Sequence, residues 1–518
     1  MTRFNSSGLA IAVISGNQTW ARGFGHGSGP FTDGGSSSVT PYTLFRAGST
    51  TKSQIAAALA ILVSSGQLNW STPVSTILGE DVFSLHDTWS TEHMTAIDLL
   101  SHRTGYPRYD VGVLGRTVNE TIHRLRYLRP ATEPRQAWQY QNEMFTAAGA
   151  VVAQVSGMET SEFLKQKLWE PMGMLDTQLL PHVGDFEGMA ACGEYFWNND
   201  TQTFIGPIPK SDLSGGEGAG GVVTNVVDYA VYLRNMMGIV NGTEGSVPVL
   251  GEKNKNVLLG THMFRSPEFD SFSQADDGFK FFTAPSWYGL GWIGDYVLGE
   301  LAWHHDGGVG EARTDLWFFP RLGKGFAVMQ NSVSPAVEVI SREAVYEILG
   351  TPEGKRLPAE QDAAQADLIL AISPSILYPE ELSNPPPAQT APSWTLAEHV
   401  GKYVNPGFVD ISLSLACGNS TSRVSAPDSP AHPTRDENGC FLRTSLFNTA
   451  SGWFGAELEH VNADKWLAWA YNDAYHGYFR PLKCLKVIFE GQGEAITRGN
   501  FLLRVDTLTT LEEFSKVE

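Results

Sequence analysis

Apolar and polar positions alternate from the start of the chain. "LAIAVI" followed by "SGNQTWARGFG" reads as two strands joined by a polar turn. The period then changes: "KSQIAAALAILVSSGQL" has the apolar spacing of a buried helix, stopped by Gly66. "TAIDLLSHRTGYP" reads as a short helix broken by Gly105 and Pro107. "MFTAAGAVVAQVSGMETSEFLKQKLWEPMGM" predicts two helices, parted at Gly157 and ended before Pro171. "GGEGAGGVVTNVVDYAVYLRNMM" predicts a glycine-rich turn and a helix capped by Thr224 or Asn225. Strand texture returns in "YGLGWIGDYVLGELAWHHDG" and "TDLWFFPRLGKGFAVMQNS", and "AVEVISREAVYEIL" closes this part as an amphipathic helix. Strands at both ends with helices between them imply an α+β domain whose sheet is completed by the two chain ends.

A boundary follows. Residues 372–394, "ISPSILYPEELSNPPPAQTAPSW", are rich in proline and polar residues, as a semi-rigid linker should be. Beyond it "VDISLSLAC", "KWLAWAYND", "LKVIFEG" and "NFLLRVDTL" read as successive short strands, a small antiparallel β-barrel over 395–518. The expected organisation is therefore a domain over 1–371, a linker, and a barrel.

Composition changes this picture little. With 42% hydrophobic and 18% charged residues in 518, the chain is an ordinary globular one with room for two domains. Its formal charge of -20 argues against nucleic acid or an anionic membrane as partner, and no apolar run is long enough to span a bilayer. Of its four cysteines, Cys417 and Cys440 flank a polar loop that they could close, whereas Cys192 and Cys484 have no evident partner. N-x-[ST] acceptor patterns at Asn5, Asn17, Asn69, Asn119, Asn199, Asn241 and Asn419 suit a secretory route. "MTRFNSSG" lacks the apolar stretch of a signal peptide, so localisation stays open between secreted and cytoplasmic. The chain starts almost directly on a core strand, which leaves room for a missing N-terminal piece.

One helix start stands out chemically. In "FRAGSTTKSQIAAALAIL" Ser49 and Lys52 are three apart, so both side chains share a helix face. A serine is a weak nucleophile unless an adjacent base takes its proton, and a buried lysine one turn on can be that base. The free N–H groups of a helix start favour a developing anion beside it. Alone, the pair reads more readily as an N-cap serine with a surface lysine.

The company of that pair decides the reading. Ser49-Thr50-Thr51-Lys52 resembles the S-x-x-K motif of serine β-lactamases and penicillin-binding proteins. Tyr140-Gln141-Asn142 is similar to the Y-x-N motif of their class C branch, and His305-Asp306-Gly307 stands where the family places K-T-G or H-x-G. "LLSHRTGYP", "LWEPMGMLDTQL" and "GAGGVVTNVVDYAVYL" resemble further family segments in the family's order, over residues 8–350. The β-rich tail resembles the lipocalin-like domain that some members carry.

The resemblance implies an enzyme without a cofactor or metal, acting on a small-molecule ester or amide. Ser49 would be acylated, and Lys52 with Tyr140 would share the proton traffic. Asn142 would orient Lys52 and bind the substrate. The backbone N–H groups of Ser49 and Gly308 would form the oxyanion hole. Hydrolysis is the expected outcome. Acyl transfer in secondary metabolism, or a non-catalytic binding role for the fold, are the alternatives.

The departures bear on substrate. His305 and Asp306 replace the lysine and hydroxyl that hold a carboxylate in β-lactamases, which implies neutral or cationic substrates. Asp306 either points inward and repels a carboxylate or turns away to bond His304. Adjacent His304 and His305 raise a metal site, but no third ligand accompanies them. Trp287, Trp292 and Trp303 are candidates for an apolar acyl pocket or for core packing.

Overall fold

The computed structural model describes residues 2–28, 37–109, 117–180, 193–198, 201–208, 210, 212–242, 252–265, 281–361, 363, 390–417, 434–444, 447–449, 452–471, 484–491, 501–506 and 511–517. They fall into two compact units, one holding most of 1–366 and the other most of 367–518. Most of the expected linker, up to residue 389, lies outside the described residues.

The first unit is built on a nine-stranded antiparallel sheet. Its centre comprises β1 (Gly8–Ser15), β2 (Gln18–Ser28), β3 (Ile293–Val297), β4 (Glu300–Val309), β5 (Ala312–Phe319) and β6 (Lys324–Gln330), in the order β2-β1-β6-β5-β4-β3. Three short strands extend it: Ser37–Ser38 beside β2, then Trp287–Tyr288 and Met263–Phe264 beyond β3. β1 pairs with β6 from Leu9↔Gln330 to Ser15↔Lys324, so the N-terminal strand fills the sheet's interior, as the strand pattern predicts.

Of four long helices, α1 (Thr51–Ser64), α2 (Asn142–Ser156), α3 (Val226–Asn241) and α4 (Ala336–Leu349), α3 and α4 pack against this sheet, and α1 packs against α2. α4 lays Val337, Val345 and Tyr346 against Trp317, Phe319, Phe326 and Val328 of β5 and β6. α1 is buried along nearly its whole length and its alanines let neighbours approach on every side, the mark of a helix inside a core rather than on its surface. Asn225 caps α3 by accepting from the N–H groups of Val227 and Asp228, while Thr224 belongs to the preceding strand.

One expectation fails. The helical backbone after Gly157 does not stop before Pro171 but runs on to Met172, with a π turn over Lys165–Trp169. Pro171 falls in the first turn of the segment after that π turn, where a missing N–H costs little, and Gly173 at φ 84° ends it.

The second unit is a curled antiparallel sheet in which consecutive strands are neighbours, from Gly401–Val404 through Ile411–Cys417, Cys440–Thr444, Gly452–Asn462, Lys465–Tyr471, Cys484–Gly491 and Phe501–Asp506 to Leu511–Lys516. The last strand pairs back onto the first, and Arg443 pairs with Glu457, so the ladder closes as a small barrel. Cys417 and Cys440 are register partners and form a disulfide, as their flanking positions allowed. Tyr403, Trp466 and Phe489 are buried with His399, whose ring lies 4.3 Å from that of Phe489. Kinship with lipocalin-like domains rests on the sequence resemblance alone.

Candidate active site

The site lies where the start of α1 meets β4. A helical turn at Gly48–Thr50 runs directly into α1, so Ser49 stands in the first turn, where backbone N–H groups have no partner within the helix. Gly48 adopts φ 55°, a conformation that glycine takes without strain. Space demands glycine as well. A Cβ on Gly48 would lie 2.6 Å from Gly308 N, and one on Gly307 2.1 Å from the Ala47 carbonyl oxygen. On the far side of α1, a Cβ on Gly291 would lie 2.7 Å from the backbone of Lys52. The predicted Gly307 and Gly308 are thus the points at which the strand comes against the helix.

Four predicted side chains converge here. Tyr140 donates its phenolic O–H to Ser49 Oγ at 2.7 Å, and Lys52 Nζ reaches the same oxygen at 3.1 Å. The ammonium also donates to Asn142 Oδ1 at 2.8 Å and to the carbonyl of Ala219 at 2.9 Å. Its charge lies 4.8 Å from the ring centroid of Tyr140 and 5.4 Å from that of Phe145. Lys52 is fully buried and Ser49 only partly, so the hydroxyl opens to the cleft while its neighbour does not. Asn142 is the first residue of α2 and not its cap. Gln141 is the cap, accepting from Glu143 N at 2.7 Å, which leaves the Asn142 amide to face Lys52.

β4 supplies the opposite wall. The β4–β5 hairpin turns through two residues after the pair Val309↔Ala312, so ladder bonds fall on the odd positions of β4. The N–H of Gly308 therefore points to the other edge, and pairing with β3 ends at Ile293↔His304. Beyond His304 no described strand pairs with that edge.

His305 is buried on this face, and burial lowers its pKa to about 4, so the ring is neutral near pH 7. A carbonyl can only accept, so His305 Nδ1 carries the proton it gives to the Asp306 carbonyl at 2.6 Å. Nε2 is left as an acceptor, and the Tyr288 hydroxyl donates to it at 2.8 Å. Burial, and the nearby Tyr140, raise the Tyr288 pKa well above the usual phenol range, which keeps that donor protonated.

His304 and Asp306 lie on the other face of β4. The expectation that Asp306 bonds His304 fails: His304 Nε2 bonds Asp295 Oδ2 of β3 at 2.7 Å, and its ring stacks on Trp317 at 3.9 Å. Cross-strand pairing brings Asp295 closer than a residue two positions along the same strand. Asp306 is exposed. The charges of His305, His304 and Arg265 hold its pKa low, so it is an anion at the rim. Trp292 and Trp303 are core residues, packed against Phe318, and Trp287 lies across Gly294. None of the three lines the space at Ser49.

Two further residues complete the wall, and motif spacing did not single them out. His102, within "LLSHRTGYP", is fully buried and accepts at Nδ1 from Gln141 N at 3.0 Å. Its ring lies 4.3 Å from that of Tyr140 and 4.8 Å from that of Tyr288. Burial first, then the charges of Lys52, His305, Arg108 and Arg265, push its pKa well below the usual value. Arg265 sits over the ring of Trp138 at 5.2 Å, and Trp138 lies 6.0 Å from Tyr140.

Known proteins match this architecture. Residues 1–349 match the Beta-lactamase family. The unguisins hydrolase of Aspergillus campestris is 28% identical over 437 residues, covering 80% of this chain and 75% of its own. That of Aspergillus violaceofuscus is 28% identical over 479 residues, covering 88% and 79%. The octameric penicillin-binding protein homologue from Pyrococcus abyssi superposes with a TM-score of 0.55 at 19% identity, over 99% of this chain and 96% of that one. The D-amino acid amidase of Ochrobactrum anthropi does so at 0.51 and 20% identity, over 67% and 94%. These two structural likenesses speak for the fold. A match across 349 of 518 residues, with the fold to accompany it, establishes that the chain belongs to the Beta-lactamase family.

Proposed function

We propose that the protein is a serine hydrolase that cleaves a small-molecule ester or amide through an acyl-Ser49 intermediate. The observation that carries this is the hold on one oxygen: Ser49 Oγ lies 2.7 Å from the Tyr140 hydroxyl and 3.1 Å from Lys52 Nζ. Loss of one proton from this trio, as tyrosinate or neutral lysine, reverses the Tyr140–Ser49 bond and makes serine the donor. Ser49 Oγ then attacks the carbonyl carbon as its proton passes to Tyr140. The oxyanion falls between the N–H groups of Ser49 and Gly308. Collapse breaks the bond to the leaving group, which takes the proton from the Tyr140–Lys52 pair. Water repeats the sequence on the acyl-enzyme and restores Ser49. Asn142 fixes the ammonium by its 2.8 Å bond.

The fungal relatives are named as hydrolases, which supports water as the acceptor over acyl transfer. The test is intact mass after exposure to a fluorophosphonate, with turnover of a short panel of 4-nitrophenyl esters. One adduct per chain, located on Ser49, is expected. An adduct on another serine overturns the assignment.

A further inference from the structure

Behind Trp138, whose ring lies 6.0 Å from that of Tyr140, a cleft of about 490 Å³ is lined by Gln136, Trp138, Thr261, His262, Phe264 and Arg265, among others. Its lining combines an aromatic wall, an exposed phenylalanine and a single charge. Phe264 is 63% exposed and offers an apolar face at the cleft. His262 adds no charge, since burial lowers its pKa and its Nε2–H donates to the Val257 carbonyl at 2.6 Å.

Arg265 is the group that needs explaining. Its guanidinium lies 5.2 Å from the ring centroid of Trp138 and donates through Nη1 to Ser286 Oγ at 3.2 Å, and its Nε–H is buried with no acceptor among the described residues. No described carboxylate forms an ion pair with it. Asp306 feels its charge without contacting it. A planar guanidinium over an aromatic ring, with no described carboxylate paired to it, is suited to receive a planar anion. The contrast with Arg103 and Arg135 is direct, since both of those are bound to Asp98.

We infer that this cleft takes an apolar arm of the substrate that carries a carboxylate, with Arg265 as its anion clamp. This rests on the acyl-Ser49 reading and names the substrate class for it. It also relocates anion recognition. β4, with neutral His305 and acidic Asp306, repels a carboxylate next to the scissile bond. Arg265 attracts one carried further out, past Trp138.

Two matched ester pairs test it: mono-4-nitrophenyl adipate against 4-nitrophenyl hexanoate, and 4-carboxyphenyl butyrate against its methyl ester. At least one anionic member should exceed its neutral mate in kcat/KM by roughly tenfold, the range of one charge-assisted contact. Arg265→Gln should lower kcat/KM for that anionic member at least tenfold more than for its mate, through KM, and Arg265→Lys should restore part of the difference. Equal turnover within both pairs, or equal losses in Arg265→Gln, overturns the inference. A readout independent of catalysis separates it from the acyl-Ser49 reading. In the Ser49→Ala protein, monomethyl adipate should bind by calorimetry more tightly than methyl hexanoate, and Arg265→Gln should abolish the difference. Ester turnover that survives Ser49→Ala refutes the nucleophile without touching Arg265. Equal binding of the two esters refutes the clamp.

Discussion

Two buried charges in the same unit, Asp98 and Lys52, are treated in opposite ways. Asp98 accepts from Arg103 Nε at 2.7 Å, from Arg135 through two nitrogens at 2.8 Å each, and from both donors of Thr95. Burial would raise its pKa, yet the hydrogen bonds from Arg135 and Thr95 and the charge of Arg103 bring it down to about 2. Lys52 instead places its ammonium against three neutral oxygens, those of Ser49, Asn142 and Ala219. Around it, His102 and His305 are held neutral. A charge answered by opposite charges is locked, and it tethers two loop segments. The described hydrogen bonds of Lys52 instead set it on the very oxygen that is to lose a proton. The first arrangement suits stability and the second suits proton transfer.

The sharpest way to break this contrast is to remove the group that Lys52 serves. Ser49→Ala should abolish both ester turnover and fluorophosphonate labelling while the circular dichroism spectrum and Tm stay near wild type. Turnover that survives in the folded variant would leave Lys52 as a structural cation, no different in kind from Asp98.

Next in size is the loss of the proton carriers. Lys52→Ala or Tyr140→Phe should each lower kcat by roughly two to four orders of magnitude, the usual worth of positioned proton transfer. The double variant should fall little further, because both groups act on one oxygen. Losses that add in logarithms would show that the two do not share the proton.

Sequence alone reached this half of the comparison and not the other. Ser49, Lys52, Tyr140 and Asn142 are legible because each pair lies in a short contiguous motif that resembles the family's, and a contiguous motif can be recognised before any tertiary contact is known. Gly307 and Gly308 follow from the same triplet logic, and the sheet from its period of two. His102 sits on a loop, Tyr288 on a two-residue strand and Arg265 just after another, and their contacts, with Tyr140, His102 and Trp138 in turn, arise only through packing across distant segments. Nothing in "LLSHRTGYP" separates a buried histidine from a surface one. Asp98 was hidden for the same reason, since its partner Arg135 lies 37 positions away. The partner of His304 was missed because cross-strand register outweighs chain proximity.

A smaller effect concerns charge at β4. A carboxylate beside the scissile bond meets neutral His305 and exposed Asp306, so 4-nitrophenyl butyrate should be preferred to nitrocefin in kcat/KM. The pair His305→Lys with Asp306→Thr should shift that ratio towards nitrocefin by roughly ten- to a hundredfold, and Asp306→Asn alone by less. Nitrocefin preferred by the wild type would mean that β4 binds anions after all, and Arg265 would no longer be needed for it.

The smallest expected effect on activity, and the one that sharpens the Asp98 side, is Asp98→Asn. A carboxyl whose pKa falls from 3.8 to about 2 on folding contributes roughly 2 kcal/mol. The sign follows from the direction of the shift. The folded protein holds the ionised form more tightly than the unfolded chain does, so the stabilisation is present above pH ~4 and disappears as pH falls through about 2. The urea midpoint of Asp98→Asn should therefore lie well below that of wild type at pH 7, and the gap should narrow steadily towards pH 2.5. Other carboxylates titrate over the same range, but they do so in both proteins and cancel in the difference. kcat/KM at pH 7 should drop less than tenfold, because Asp98 touches Ser49 only through the segment that carries Arg135 and leads to Tyr140. A gap that stays constant with pH would show that the amide loses packing or hydrogen bonds rather than charge, and the opposition between a locked anion and a mobile cation would lose its electrostatic half.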